Sequence, residues 1–179
     1  MAIGALAALR IILSLPGIAL AAITGVPFLK NLLDFPVQPI LAVLVVFIIK
    51  RPFSATLWAG LFAIIGLPLP FLAPPGFFLK VPYAMLFGLT IDLVWFLTKR
   101  WEKVSSMIIG TTILGLGIPL AVLFWTILGV PELAAAAGKF LTFIFVPLMI
   151  IVGGGLGYVG WLIYKRIEKT AVVRRIQQG

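Results

Sequence analysis

Residues 139–165, KFLTFIFVPLMIIVGGGLGYVGWLIYK, hold 25 consecutive uncharged residues between two lysines. A hydrocarbon layer of about 30 Å takes about 20 helical residues to cross, so this stretch has the length and composition of a membrane span. Similar runs recur along the chain. Arg10 and Lys30 enclose 19 uncharged residues, and Asp34 and Lys50 enclose 15. Arg51 to Lys80 and Lys103 to Glu132 enclose 28 each. Between Lys80 and Lys99 the one charge is Asp92. The pattern predicts an all-α integral membrane protein, a six-helix transmembrane bundle forming a single domain over 1–179. The expected helices cover about 5–27, 36–49, 52–67, 82–98, 105–129 and 140–164, followed by a basic tail over 165–179. The first apolar run lacks a small-x-small cleavage site and is read as the first span rather than as a removable leader.

Composition points the same way. Hydrophobic residues make up 63% and charged residues 11% of the 179, against about 25% charged in a soluble domain. The net charge of +9 is read as topology rather than as a nucleic-acid surface. Six spans place Lys50, Arg51, Lys99, Arg100, Lys103, Lys165, Arg166, Lys169, Arg174 and Arg175 on one side, with Arg10 near them. The other side carries only Lys30, Lys80 and Lys139. The positive-inside rule then predicts that both termini are cytoplasmic, in a multi-pass protein of the cell membrane. The basic tail would also attract anionic membrane lipids.

Prolines mark the connections. The segment 66–82, GLPLPFLAPPGFFLKVP, holds five prolines and two glycines and is almost wholly apolar. It cannot continue a helix, and an apolar backbone suits neither water nor bare lipid. It is therefore read as an extracellular loop between the third and fourth helices, folded back on the helix ends as a cap or resting at the headgroups. Pro16, Pro119 and Pro147 are expected to kink or break the first, fifth and sixth helices. Asp92 is an acid well inside a span, where an unpaired carboxylate is costly. Arg10 lies at comparable depth, so an Arg10–Asp92 structural ion pair is expected, with a proton or ion relay as the sharper alternative. Gly4 and Ala8 in the first helix, and Gly153 and Gly157 in the sixth, have the small-xxx-small spacing of close helix contacts.

Catalytic patterns are missing. The chain has no histidine and no cysteine, which removes the usual soft metal ligands and leaves its serines without an activating base. No glycine-rich phosphate loop ends in Lys-Ser or Lys-Thr. The expectation is a protein that is not an enzyme and needs no cofactor or metal.

The layout resembles the substrate-binding S component of energy-coupling factor (ECF) transporters. The resemblance lies in Pro39 to Pro52 followed by Ala55 to Gly60, in Pro82 to Val94 with Gly88 and Asp92 one turn apart, and in Gly153 to Gly160 followed by Lys165 and Arg166. It covers nearly the whole chain. It implies capture of a vitamin or similar small organic solute from outside. It also implies association with a transmembrane coupling subunit and two cytoplasmic ATPase subunits. Gly4 and Ala8 would dock the coupling subunit, where the family usually has an Ala-xxx-Ala pair. The outer helix ends would line the substrate cavity: Asn31, Asp34, Phe77, Phe78, Lys80, Tyr83, Trp125, Thr126, Glu132 and Lys139. Absence of histidine argues against the family's metal-importing branch. The competing reading is a non-catalytic accessory subunit of a larger membrane complex, in which the Pro-rich loop would be a contact surface. A lipid-modifying enzyme lacks an acid pair, and a self-contained secondary transporter lacks an internal repeat.

On this reading a cysteine introduced at 139 reacts with an impermeant thiol reagent on intact cells and one at 103 does not. The reverse labelling would invert the orientation.

Overall fold

In the computed structural model, which describes residues 2–25, 34–70, 74–138 and 145–178, every residue from Leu41 to Ile49 is buried. A helix apolar on all sides belongs at the centre of a bundle, and this one, α2 (Asp34–Ile49), touches most of the others. Around it run α1 (Ala2–Thr24), α3 (Ser54–Ile65), α4 (Lys80–Thr98) and α5 (Glu102–Thr111). They are followed by a π-helical turn over Thr112–Leu116, α6 (Gly117–Ile127), α7 (Pro131–Gly138), α8 (Phe145–Ile167) and α9 (Ala171–Gln178). Among the described residues there is no strand.

Three helices are long and apolar enough to cross a membrane: Ala2–Thr24, Lys80–Thr98 and Val146–Ile167. Glu102–Leu116 and Pro119–Ile127 make a fourth if the pair, bent by 50°, is one span. The bend has a local cause. Pro119 has no N–H for the carbonyl four residues back, and the π turn before it absorbs the mismatch. The remaining apolar helices, α2 and α3, have 16 and 12 residues. Two short helices were not anticipated from the sequence, Pro131–Gly138 and Ala171–Gln178. Pro147 falls in the first turn of α8, where proline is tolerated, rather than at an interior kink.

The closest helix approaches use glycine. Gly110 of α5 packs on the backbone of Gly153 and Gly157 of α8, and Gly157 also meets Ser106. The GxxxG pair therefore serves packing within the chain. Gly160 rests on Ile40 and Val43 of α2. In α4, a Cβ at Gly88 would lie 2.6 Å from both Ala55 O and Thr56 Cα. Gly4, by contrast, has nothing within 4 Å of its would-be Cβ.

Gly88 therefore separates two kinds of glycine. Gly88→Ala should destabilise the bundle by about 1–3 kcal/mol, since neither backbone can yield, while Gly4→Ala should leave the melting temperature in detergent unchanged or slightly raised. Equal effects would mean that α3 and α4 do not approach this closely.

Candidate functional site

Three constellations gather buried ionisable groups among the described residues. The first centres on Arg10, which is buried along the α1 stripe of Ala7, Ile11, Ser14 and Gly17. Its guanidinium forks onto Asp34 at the start of α2, with Nε to Oδ1 at 3.1 Å and Nη2 to Oδ2 at 2.9 Å. The Ser14 hydroxyl lies 2.9 Å from both Asp34 Oδ1 and the Arg10 carbonyl. The charged plane sits 3.8 Å from the centre of the Phe62 ring and 5.2 Å from that of Trp58. A bidentate, π-faced cation of this kind satisfies the strict terms for burying a charge.

The second constellation binds α3 to α4. Asp92 does not meet Arg10. Its Oδ1 accepts from Ala55 N at 3.0 Å, and its Oδ2 accepts from Thr56 N at 2.8 Å and from the Thr56 hydroxyl at 2.7 Å. It thus caps the N-terminus of α3, where free N–H groups and the helix dipole favour an anion. The expected Arg10–Asp92 pair is corrected accordingly. Both charges are buried, but each is satisfied by a different neighbour. At the opposite end of α3, Lys80 Nζ donates to the carbonyls of Gly66, Leu67 and Leu69 at 2.9–3.0 Å. Lys80 has no exposed surface.

The third constellation is aromatic. Tyr83 and Trp125 form a small core with Phe77, Phe124, Leu79 and Val130. Ring centres are 5.6 Å apart for Phe77 and Trp125, and 5.5 Å for Tyr83 and Trp125. The Tyr83 hydroxyl donates to Gly117 O at 3.2 Å. Trp125 is fixed by a helix stop: Gly129 is left-handed, its N–H bonds to Thr126 O, and the Val130 N–H bonds to Trp125 O. Phe77 reaches this cluster because the segment before it folds back, with Gly76 N donating to Leu67 O at 2.8 Å.

Of the ten expected cavity residues, the structure brings together Phe77, Tyr83 and Trp125. Asp34 is consumed by Arg10 and Ser14, and Lys80 by three carbonyls. Thr126 is exposed and bonds its own helix at Val122, Phe78 is exposed, and Glu132 lies exposed in the first turn of α7. Asn31 and Lys139 lie outside the described residues. Gly4 and Ala8 are half-buried on α1. Sequence reasoning missed Ser14, Thr56, Trp58 and Phe62, which have no pattern of their own and acquire meaning only beside a charge. Among the described residues, no group of three or more acidic, histidine or cysteine side chains could hold a metal.

Charges also gather at the other end of the bundle. Glu102, opening α5, lies 2.9 Å from Lys165 and 3.9 Å from Lys50, and Lys165 lies 3.0 Å from Glu168. The ends of α2 and α8 and the start of α5 therefore share one basic end, remote in the sequence from the 66–79 segment. No family model, curated protein or solved structure matches this chain.

Removing one partner of a buried pair leaves an uncompensated charge and costs about 3–5 kcal/mol. Arg10→Met and Asp34→Leu should each destabilise on that scale, and the double variant should recover most of the loss. Combining Arg10→Met with Asp92→Leu should be additive. A double-mutant cycle read by thermal unfolding distinguishes the two pairings; coupling to Asp92 rather than Asp34 would contradict the geometry.

Proposed function

We propose that the chain is a six-span membrane protein that captures a small organic solute, of the same kind as the S components of ECF transporters. On this reading the 66–82 segment is an extracellular lid, and the energy comes from a coupling subunit with two separate ATPases. The observation that carries the reading is the position of Phe77. A proline-rich segment that cannot span the membrane is anchored beside α3 by Lys80, and its Phe77 packs against Tyr83, Trp125 and Phe124. Aromatic faces with one hydroxyl suit a planar heterocycle, and a lid hinged beside Gly76, in its left-handed conformation, can lift a single aromatic side chain to admit one. In this arrangement Lys80 and Asp34 hold the scaffold and do not touch the solute. The half-buried Gly4 and Ala8, with open space at Gly4, are the proposed contact for the coupling subunit.

A second reading has its own support. Asp34, Lys80 and the Tyr83 hydroxyl are already bonded to protein, and an accessory subunit of a membrane complex would need no cavity beneath the same segment.

A thermal-shift screen of detergent-solubilised protein against vitamins and their precursors separates them. A true ligand at a hundred times its Kd adds about 2.7 kcal/mol of stability. Phe77→Ala should remove that gain and lower the unliganded melting temperature only modestly, by the lost ring packing, whereas Lys80→Ala should unfold the α3 end with or without ligand. If a broad screen moves nothing, the accessory reading replaces transport.

A further inference from the structure

The basic end holds a cavity that neither the bundle's packing nor the proposed transport uses. It has a volume of about 300 Å³ and lies between the last turns of α2 and α4 and the first of α5, lined by Phe47, Lys50, Trp95, Lys99 and Glu102. Two aromatic side chains and two lysines line it together with one carboxylate. Glu102 is the carboxylate in the wall. It is held at 2.9 Å by Lys165 and stands 3.9 Å from Lys50, so Lys50 keeps donors for a second acceptor.

Lys50 also stands in an unusual backbone conformation. Its φ is 51°, in the left-handed region, and its N–H closes α2 onto Val46 O at 3.0 Å. Glycine is the residue that takes this position without strain. A lysine kept there points to a task for the side chain, since such strain gathers at binding sites. Complementing the α2 dipole would not require it, because a lysine within the last helical turn does that in ordinary geometry.

We propose that this cavity is a binding site for the phosphodiester headgroup of an anionic phospholipid, gripped by Lys50 and Lys99 over Phe47 and Trp95. The inference rests on the chain being embedded in a membrane and is independent of whether it carries a solute. A lipid is favoured over a soluble phosphate ester because Lys99, which lines the cavity, also stands 4.6 Å over the ring of Phe96, and Phe96 and the nearby Trp101 are both exposed. An acyl chain can lie along them while the headgroup reaches the lysines. Basic pockets between helices at a membrane surface bind anionic headgroups in this way.

The test compares melting temperatures of the purified full chain in neutral detergent after adding phosphatidylglycerol, phosphatidylcholine or glycerol 3-phosphate. Phosphatidylglycerol should raise the melting temperature and the other two should not. Lys50→Gly relieves the backbone strain, so it should melt higher than the parent without lipid yet lose most of the phosphatidylglycerol shift. Lys99→Gln should lose it too. Arg174→Gln, which removes a charge of the basic tail that does not line the cavity, should keep it. Equal loss in all three variants would mean general charge attraction and overturn the site. An equal shift with glycerol 3-phosphate would make the ligand a soluble ester and overturn the lipid assignment. A phosphatidylglycerol shift undiminished in Lys50→Gly would remove Lys50 from the site.

Discussion

One short helix is gripped at both ends by opposite charges from the same neighbour, and the rest of the bundle is arranged around that grip. The 12 residues of α3 rise about 18 Å. Lys80 and Asp92 are 12 positions apart on antiparallel α4, so they reach the two ends. The carboxylate meets free N–H groups at the start of α3, and the ammonium meets the carbonyls of Gly66, Leu67 and Leu69 just past its end, each matching the sign of the dipole there. Gly88 lets the backbones close to a distance at which these side chains reach. A helix this short is marginal in isolation; here side chains of α4 hold it at its start and just past its end.

That solution leaves Arg10 free of Asp92, and Asp34 takes it. The pair ties the middle of α1 to the first turn of α2, and the aromatic faces of Phe62 and Trp58 bring α3 into the same knot. Three helices are thus fixed by one guanidinium. Beyond it, the second half of α1 buries little: Gly17 is buried while Leu15, Leu20 and Ile23 are exposed, as suits residues facing acyl chains.

The same economy narrows the chemistry. Charged groups that a sequence reader assigns to a ligand are used up in holding helix ends, and what remains near the 66–79 segment is aromatic. On the proposed reading, a solute bound there would be recognised by stacking and shape. At the opposite end the balance reverses, and lysines outnumber the carboxylates available to them.

The sequence by itself determined the helical class and the apolar character of the helices, because long uncharged runs admit little else. It also marked the glycines of α8 as packing surfaces and, from local sterics, a break before α4, although the helix begins at Lys80 and so takes in Pro82 of the segment expected to be non-helical. It did not determine which charges meet. Arg10, Asp34, Lys80 and Asp92 offer several chemically sensible pairings, and periodicity ranks Arg10 with Asp92 by depth alone. Tertiary structure chose otherwise because free N–H and carbonyl groups at helix ends compete for buried charges as well as side chains do. Which helix ends lie within reach of a given carboxylate depends on how closely two backbones approach. The short helices Pro131–Gly138 and Ala171–Gln178 were illegible for a related reason. Each is only eight residues long, shorter than the window of about 11 residues or more in which periodicity is read, and the contacts of α7 with α6 and of α9 with α2 exist only in the folded chain.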